Sequence, residues 1–363
     1  MVATQLTPCS EEKIREKVDK LYHGLRKKAV CVPGIDENTR MPEKPSWYNE
    51  EKFKRAQQWV RTYFTSVFIG HMAGLSLGFM MPSLVPPMAH TQSHSKVSKL
   101  FRRYLNTVLY IKLWYENDPY DEDGIARQAF RKVNFLHKFI IKKINPPKEE
   151  REEDNPLWLS QYDMVLIEWS IIAPILLNPK ACGIHDMTRS QAEDLIHYWA
   201  ITTHNVGIKE EFNIMRSGNY DEAYYICKRL LDKDIRPVAT ALKAPADVGF
   251  EEGLKMTLSL QPLCPIFNLS DLMRHWAVVW SLPVDSKITW KYQFPHMPVA
   301  WVLDYLCQFR AWHWIMNVVF RYIMVRSGKQ MDEIAEDFDK QYPDNFMPFE
   351  LSKELKPQLV LQY

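Results

Sequence analysis

The feature that most constrains the fold is an uncharged segment from Tyr63 to Ala89, which contains no Lys, Arg, Asp or Glu. It is long enough to cross a bilayer, since a spanning helix needs about 20 apolar residues. However, Gly70, Gly74 and Gly78 recur at intervals of four, and prolines interrupt the segment from Pro82 onward. We therefore predict a helix buried in a large protein core, whose glycines let another helix or a flat ring approach closely.

The composition indicates a folded, helix-rich protein. Of the 363 residues, 46% are hydrophobic and 13% aromatic, whereas only 12 are glycine. The 46 basic residues nearly balance the 44 acidic ones, and no recognition motif is present, so the sequence gives no argument for a nucleic-acid partner. The six cysteines are scattered without C-x-x-C or C-x-x-C-H spacing, and no signal peptide is evident. Both features favour an intracellular protein.

Amphipathic patterns separated by proline-rich breaks predict an all-α, largely single-domain chain. We divide it into an N-terminal helix and surface loop (1–48), a helical domain (49–330) and a C-terminal tail packed on that domain (331–363). Within the domain, Thr188 and Gln191 are spaced to form a capping box at a helix start.

One histidine, His137, stands in the middle of the apolar stretch Val133–Ile141. If this stretch is helical, Val133 and Ile141 lie one turn on either side and Ile140 lies on the same face, so the imidazole points inward. It must then hydrogen-bond a neighbour or coordinate a metal, because an unpaired buried polar group costs about 1–3 kcal/mol. A satisfied core histidine and a metal ligand both fit this pattern.

A polar cluster precedes this helix, in the sequence RRYLNT from Arg102 to Thr107. Arg103, Asn106 and Thr107 share one helix face at spacings of three and four. A fixed guanidinium there could neutralise a porphyrin propionate. A solvated helix edge is the alternative interpretation.

The order of these elements resembles the rubber oxygenase (latex clearing protein) family, which includes the fungal ER-bound oxygenase of mycophenolic acid biosynthesis. The resemblance rests on Arg103-x-x-x-Thr107, the apolar helix with His137 and the segment from Ser160 to Asn213; it covers residues 84–213. It implies an all-α, multi-helix bundle, with a globin-like core and extra helices, that holds one haem b. It also implies that His137 is the axial iron ligand and that Arg103 and Thr107 belong to the haem environment.

Two features depart from the family pattern. Asn106 stands where rubber oxygenases carry a distal lysine, and Leu84–Lys99 contains no acidic residue where we would look for their catalytic carboxylate. We therefore expect no lysine from this helix to cap the iron, and the Asn106 amide could instead donate a hydrogen bond to bound oxygen. His71, His90 and His94 are alternative donors to the iron.

The resemblance further implies an oxygenase that uses dioxygen on a small hydrophobic, isoprenoid-like substrate, with Arg103, Asn106 and Thr107 acting at the reaction centre. We expect the segment Tyr63–Ala89 to form a wall of the haem pocket and of the substrate channel. A haem peroxygenase for lipid or phenolic substrates and a non-catalytic haem-binding member of the family are the alternatives. Such a protein would be cytoplasmic or in peripheral contact with the ER membrane.

Three other features are interpreted as structural. Glu168 is expected to be a helix-edge residue bonded to a neighbour. His197 and His204, seven residues apart on one helix face, are assigned packing or hydrogen-bond roles. For the aromatic-rich stretch Val299–Val325 a core helix, a dimer face and an interfacial membrane helix are all compatible with the pattern, and we assign it to the core.

Overall fold

The computed structural model describes residues 8–36, 40–78, 81–84, 86–87, 96–152, 154–241, 255, 258–264, 269–282 and 299–342. Within these ranges every regular element is a helix, apart from an isolated antiparallel β-bridge between Pro33 and Ser160. The prediction of an all-α fold is confirmed. The domain boundaries after residues 48 and 330 remain predictions.

The α-helices of these ranges are numbered here in chain order. They are α1 (Pro8–Lys27), α2 (Glu50–Thr62), α3 (Phe64–Gly78), α4 (Val97–Glu116), α5 (Ile125–Ile144), α6 (Gln161–Leu177), α7 (Arg189–Asn205), α8 (Tyr220–Leu230), α9 (Arg236–Ala241), α10 (Leu269–Val279), α11 (Val299–Asp304), α12 (Arg310–Lys329) and α13 (Met331–Gln341). Short 3₁₀ turns cover Ala29–Cys31, Pro82–Leu84, Lys148–Glu150, Pro179–Cys182, Gln261–Leu263 and Leu306–Gln308, and a π-helical turn, Leu231–Ile235, joins α8 to α9.

Side-chain caps fix where α6 and α7 begin. Thr188 accepts a hydrogen bond from the backbone N–H of Gln191, and the Gln191 side chain accepts one from the backbone of Thr188. This confirms the predicted capping box. Ser160 and Asp163 make the same reciprocal pair at the start of α6. Such caps satisfy backbone donors that the first turn of a helix leaves unpaired.

Helix α3 is buried along its whole length and packs against α6. A Cβ atom added to Gly74 would lie only 1.7 Å from the carbonyl oxygen of Ser170, and one added to Gly78 would lie 3.0 Å from the Ser170 Cβ. The prediction of a buried helix with a closely approached glycine face is confirmed. The approaching group is α6, so this face is filled by protein and does not contact a flat ring. Among the described residues, no helix is long and apolar enough to cross a membrane.

His71 of α3 belongs to a hydrogen-bond network that joins four helices. Its Nδ1 lies 2.8 Å from the carbonyl oxygen of Ile171 on α6, and its Nε2 lies 3.0 Å from the hydroxyl oxygen of Tyr115 on α4. Because a carbonyl only accepts, Nδ1 donates and Nε2 accepts from the tyrosine hydroxyl. That hydroxyl also accepts a hydrogen bond from Trp199 Nε1 on α7, at 2.9 Å. Burial lowers the pKa of His71 to about 3, so the ring stays neutral with both nitrogens engaged.

Glu168 lies inside the core, and its expected position at a helix edge is wrong. Helix α6 is surrounded by α1, α3, α7 and α8, so it has no exposed edge at this point. The expected bond to a neighbour is present, since the Thr203 hydroxyl donates to Glu168 Oε1 at 3.2 Å. Burial raises the pKa of Glu168 to about 8, against the opposing effect of the donors from Thr203 and Ile214.

The assignment of Val299–Val325 to the core is wrong for one half of its surface. The stretch forms α11, a 3₁₀ turn and α12. The inner face of α12 includes Met316, Phe320 and Met324, which are buried against α3 and neighbouring elements. Its outer face carries exposed apolar side chains, because α12 lies at the periphery and packs on one side only. These are Trp314, Ile315, Val318, Tyr322 and Val325.

The C-terminal helix α13 packs on α4. The Ser98 hydroxyl donates to Asp339 at 2.7 Å, Arg102 pairs with Asp332 at 3.0 Å, and the rings of Phe101 and Phe338 are in contact. The ion pair with Asp332 therefore holds Arg102 at the edge of α4 that faces α13. Residues 343–363 of the predicted tail lie outside the described residues.

We predict that Gly74→Ala destabilises the protein by about 1–3 kcal/mol or more, because the new methyl group cannot fit beside the Ser170 carbonyl. Gly24→Ala is the matched control, since nothing lies within 4 Å of a Cβ at that helical position. Alanine there should stabilise α1 by up to about 1 kcal/mol. Urea denaturation of the two variants measures both changes, and equal midpoints would contradict the packing described here.

We also predict that the folding stability of the wild type decreases as the pH rises, because Glu168 loses its proton, and that Glu168→Gln removes this contribution. The folded pKa of about 8 exceeds the ordinary value of 4.5, so between these values the folded chain holds a proton that the unfolded chain has lost. Stability therefore falls as the pH rises through this window, by at most about 1.4 kcal/mol per pH unit. Between about pH 7 and about pH 8, a range above the ordinary pKa of histidine, the urea midpoint should fall less in Glu168→Gln than in the wild type, whereas the exposed control Glu12→Gln should keep the wild-type slope. An unchanged slope in both variants would show that Glu168 is ionised in the folded protein.

Candidate functional site

The candidate site lies on α4 and α5, two helices joined by a short connection over residues 117–124. Short connections place successive helices side by side and antiparallel. The two helices are in contact, and the rings of Trp114 and Phe130 stack at 4.5 Å between centroids. This pairing brings the polar cluster of α4 and the histidine of α5 into one region.

His137 lies on the inner side of α5. Asn134, Ile140 and Ile141, its neighbours on this side, are buried, whereas His137 itself is only partly buried. Its Nδ1 atom is buried and has no hydrogen-bond partner in the described part of the chain. Among the described residues, Nδ1 therefore lacks the hydrogen bond that a satisfied core histidine would make.

Arg103 of α4 lies near His137. Burial lowers the pKa of His137 to about 4, and the positive charge of Arg103 lowers it further in the same direction. Both effects keep the imidazole neutral near pH 7, the form in which a ring nitrogen offers a lone pair to a metal. The structure thus brings together the two residues that the sequence suggested for a ligand and an anion-binding group.

Thr107 and Asn106 are placed differently. The Thr107 hydroxyl donates to the carbonyl oxygen of Arg103, one turn earlier in the same helix, at 3.1 Å. This hydrogen bond leaves the Thr107 oxygen able to accept another. Asn106 is exposed, and Thr107 is partly buried. The roles expected for Asn106 and Thr107 at a reaction centre remain predictions.

The other histidines have structural surroundings. His197 Nε2 accepts a hydrogen bond from the backbone N–H of Asn49 at 3.0 Å, and His204 Nε2 lies 3.2 Å from the carbonyl oxygen of Glu43. Both rings contact Trp47 edge-on. The packing and hydrogen-bond roles are confirmed. Of the alternative iron donors, His71 is engaged in the core, and His90 and His94 lie outside the described residues.

Sequence reasoning missed Tyr115, which holds His71 and Trp199 through one hydroxyl group. No local signal could have identified it, because its partners lie on other helices.

An open cavity of about 450 Å³ is also present, lined by Arg61, Glu116, Trp314, Asn317, Val318 and Arg321. It includes none of the predicted site residues.

The residues present fit a haem. No three His, Cys, Asp or Glu side chains gather into a metal site within the described ranges, but haem iron already has four porphyrin nitrogens and needs only one protein ligand. His137 has the neutral state and the unsatisfied nitrogen that such a ligand requires. Arg103 supplies a nearby positive charge, which suits a propionate.

Comparison with known proteins gives one family and one related structure. Residues 58–316 match the family described as "ER-bound oxygenase mpaB/B'/Rubber oxygenase, catalytic domain". The fold is similar to that of a solved structure of latex clearing protein LCP in the closed state, with 17% sequence identity, a TM-score of 0.53 and coverage of 86% of both chains. No curated protein matches the sequence significantly. The family match covers well over half of the chain, and we conclude that the chain belongs to the mpaB and rubber oxygenase catalytic-domain family.

Proposed function

We propose that this protein is a haem b-dependent oxygenase that uses dioxygen on a small hydrophobic, isoprenoid-like substrate, with His137 as the axial ligand. Membership of an oxygenase family supports the reaction class. The observation that carries the haem assignment is that the buried Nδ1 of a neutral His137, beside Arg103, has no hydrogen-bond partner among the described residues. A purely structural histidine would be expected to have a partner at this atom.

The residues of α4 and α5 have separable roles in this proposal. His137 would provide the ring nitrogen that holds the iron, and Arg103 would bind a propionate and favour the unprotonated imidazole. When bound, haem b supplies the redox chemistry by which dioxygen is activated. Asn106 offers an amide donor one turn from Arg103, at the position where a lysine is found in rubber oxygenases.

The apolar surroundings suit a hydrophobic substrate. Buried side chains of α4 that point into the core include Leu105, Val108 and Ile111, and α5 adds Ile140 and Ile141. Apolar side chains next to a site exclude water from it and favour the binding of apolar molecules through the hydrophobic effect. The substrate would therefore be recognised by shape and apolarity, with few polar contacts.

We predict that purified protein supplemented with haem shows a Soret absorption band that His137→Ala loses or shifts. His204→Ala is the matched control and should leave the band unchanged, because His204 contacts Trp47 and a backbone carbonyl away from this site. Circular dichroism would show that each variant is folded. Absence of a Soret band in all three proteins would overturn the proposal.

Oxygen uptake then distinguishes the chemical alternatives. Consumption of dioxygen with isoprenoid substrates is the expected result. Turnover with hydrogen peroxide in the absence of dioxygen would instead indicate a peroxygenase. Bound haem without oxidation of any lipophilic substrate would indicate a non-catalytic member of the family.

A further prediction concerns acid release of haem. Protonation of His137 competes with iron, and Arg103 helps to keep the pKa of this imidazole low. In Arg103→Gln the pKa of His137 should rise, so the loss of the Soret band on acidification should occur at a higher pH than in the wild type. Arg102→Gln is the control, because Arg102 pairs with Asp332 on α13. Identical release midpoints for the two variants would exclude the role assigned to Arg103.

A further inference from the structure

The outer face of α5, on the opposite side of the helix from His137, is unusually apolar for a surface. Ile125, Phe135, Leu136 and Phe139 are 51%, 67%, 44% and 52% exposed. The last three lie within one turn of one another, so they form a contiguous patch. Exposed apolar patches of this kind mark sites of interaction.

Positive charges surround this patch. Arg131, Lys132, Lys142 and Lys143 are exposed on the same side of the helix, and α5 contains no Asp or Glu. The Lys143 ammonium lies 5.6 Å from the centre of the Phe139 ring, so basic and aromatic groups are interleaved. The combination of exposed phenylalanines and lysines is typical of helices that lie on lipid surfaces.

Acidic residues flank α5 in the sequence at both of its ends. Glu122, in the loop before the helix, pairs with Arg131 at 2.5 Å and with the buried Arg127 at 3.1 Å. Glu149 and Glu150 follow the helix in a 3₁₀ turn. The helix itself contributes only basic charges to the outer face between Lys132 and Lys143.

We propose that the outer face of α5 docks on the surface of an anionic lipid bilayer. Phe135, Leu136 and Phe139 would enter the boundary between headgroups and acyl chains, and the lysines would contact lipid phosphates. A second copy of the chain is a poor occupant, since a two-fold interface would set the same lysines against each other. The charge of the face thus selects an anionic partner, and its exposed phenylalanines favour one with an apolar interior.

This inference goes beyond the proposed function and does not depend on haem. The outer face and His137 occupy opposite sides of one helix, so docking would leave His137 turned toward the protein. A membrane-bound protein could then receive apolar molecules dissolved in the same bilayer.

The test is sedimentation of the full chain with vesicles of phosphatidylcholine alone or with about one third phosphatidylserine. We expect binding to the anionic vesicles only, reduced by salt. Lys132→Gln, Lys142→Gln and Lys143→Gln should each weaken it about fivefold, which corresponds to about 1 kcal/mol per charge. The double variant Phe135→Ser/Phe139→Ser should also bind more weakly, even though its charge is unchanged.

The double variant Trp314→Ser/Tyr322→Ser is the matched control, because these residues form another exposed aromatic patch, on α12. It should bind as the wild type does, and circular dichroism would confirm that every variant is folded. Loss of binding in this control alone would assign the membrane contact to α12 and overturn the proposal. Equal binding to neutral and anionic vesicles would also overturn it, as would no binding to either. The same holds if the wild type is a dimer and the double variant Phe135→Ser/Phe139→Ser is a monomer. Each readout is independent of the Soret band, so failure here leaves the haem assignment untouched.

Discussion

The close contact between α3 and α6 sets the geometry of the helices around it. It depends on Gly74, where any side chain would collide with the Ser170 carbonyl group. One turn away, His71 donates to the Ile171 carbonyl and accepts from Tyr115, so the same contact fixes α4. Trp199 extends this arrangement to α7. A buried polar network that is fully satisfied in this way specifies one relative position of its helices.

The position of the candidate haem site depends on this network, because the network fixes α4, which carries Arg103. Tyr115 lies three turns beyond Arg103 in that helix, and α5 is aligned beside α4 by the stacking of Trp114 on Phe130. The contrast between His71 and His137 is informative. Both imidazoles are kept neutral by burial, but both ring nitrogens of His71 are satisfied, whereas Nδ1 of His137 has no partner in the part of the chain that the structure describes. The histidine that is incomplete without a further partner is the one we assign to the iron.

Local patterns in the sequence predicted the features that depend on local interactions. The capping box of Thr188 and Gln191 could be identified, because its hydrogen bonds join residues three apart. The buried character of α3 followed from its lack of charge, and the proximity of Arg103 to His137 was expected from the family resemblance. The burial of Glu168 could not be inferred, because it depends on how α1, α3, α7 and α8 pack around α6. Likewise, the apolar half of α12 gave no sign of facing outward, since exposure depends on how many neighbours the fold supplies.

The burial of α3 also has a consequence for biosynthesis. His71 and its acceptor Ile171 are 100 residues apart in the chain, and α3 is uncharged and buried along its whole length. At translation rates of about 5–20 residues per second, this helix waits several seconds for its main partner to leave the ribosome. During that time the surface of α3 that packs on α6 in the folded protein has no partner. A contact between residues so far apart in the chain also slows folding, because the long intervening loop must be closed first, so the native packing of α3 can form only after α6 has been synthesised.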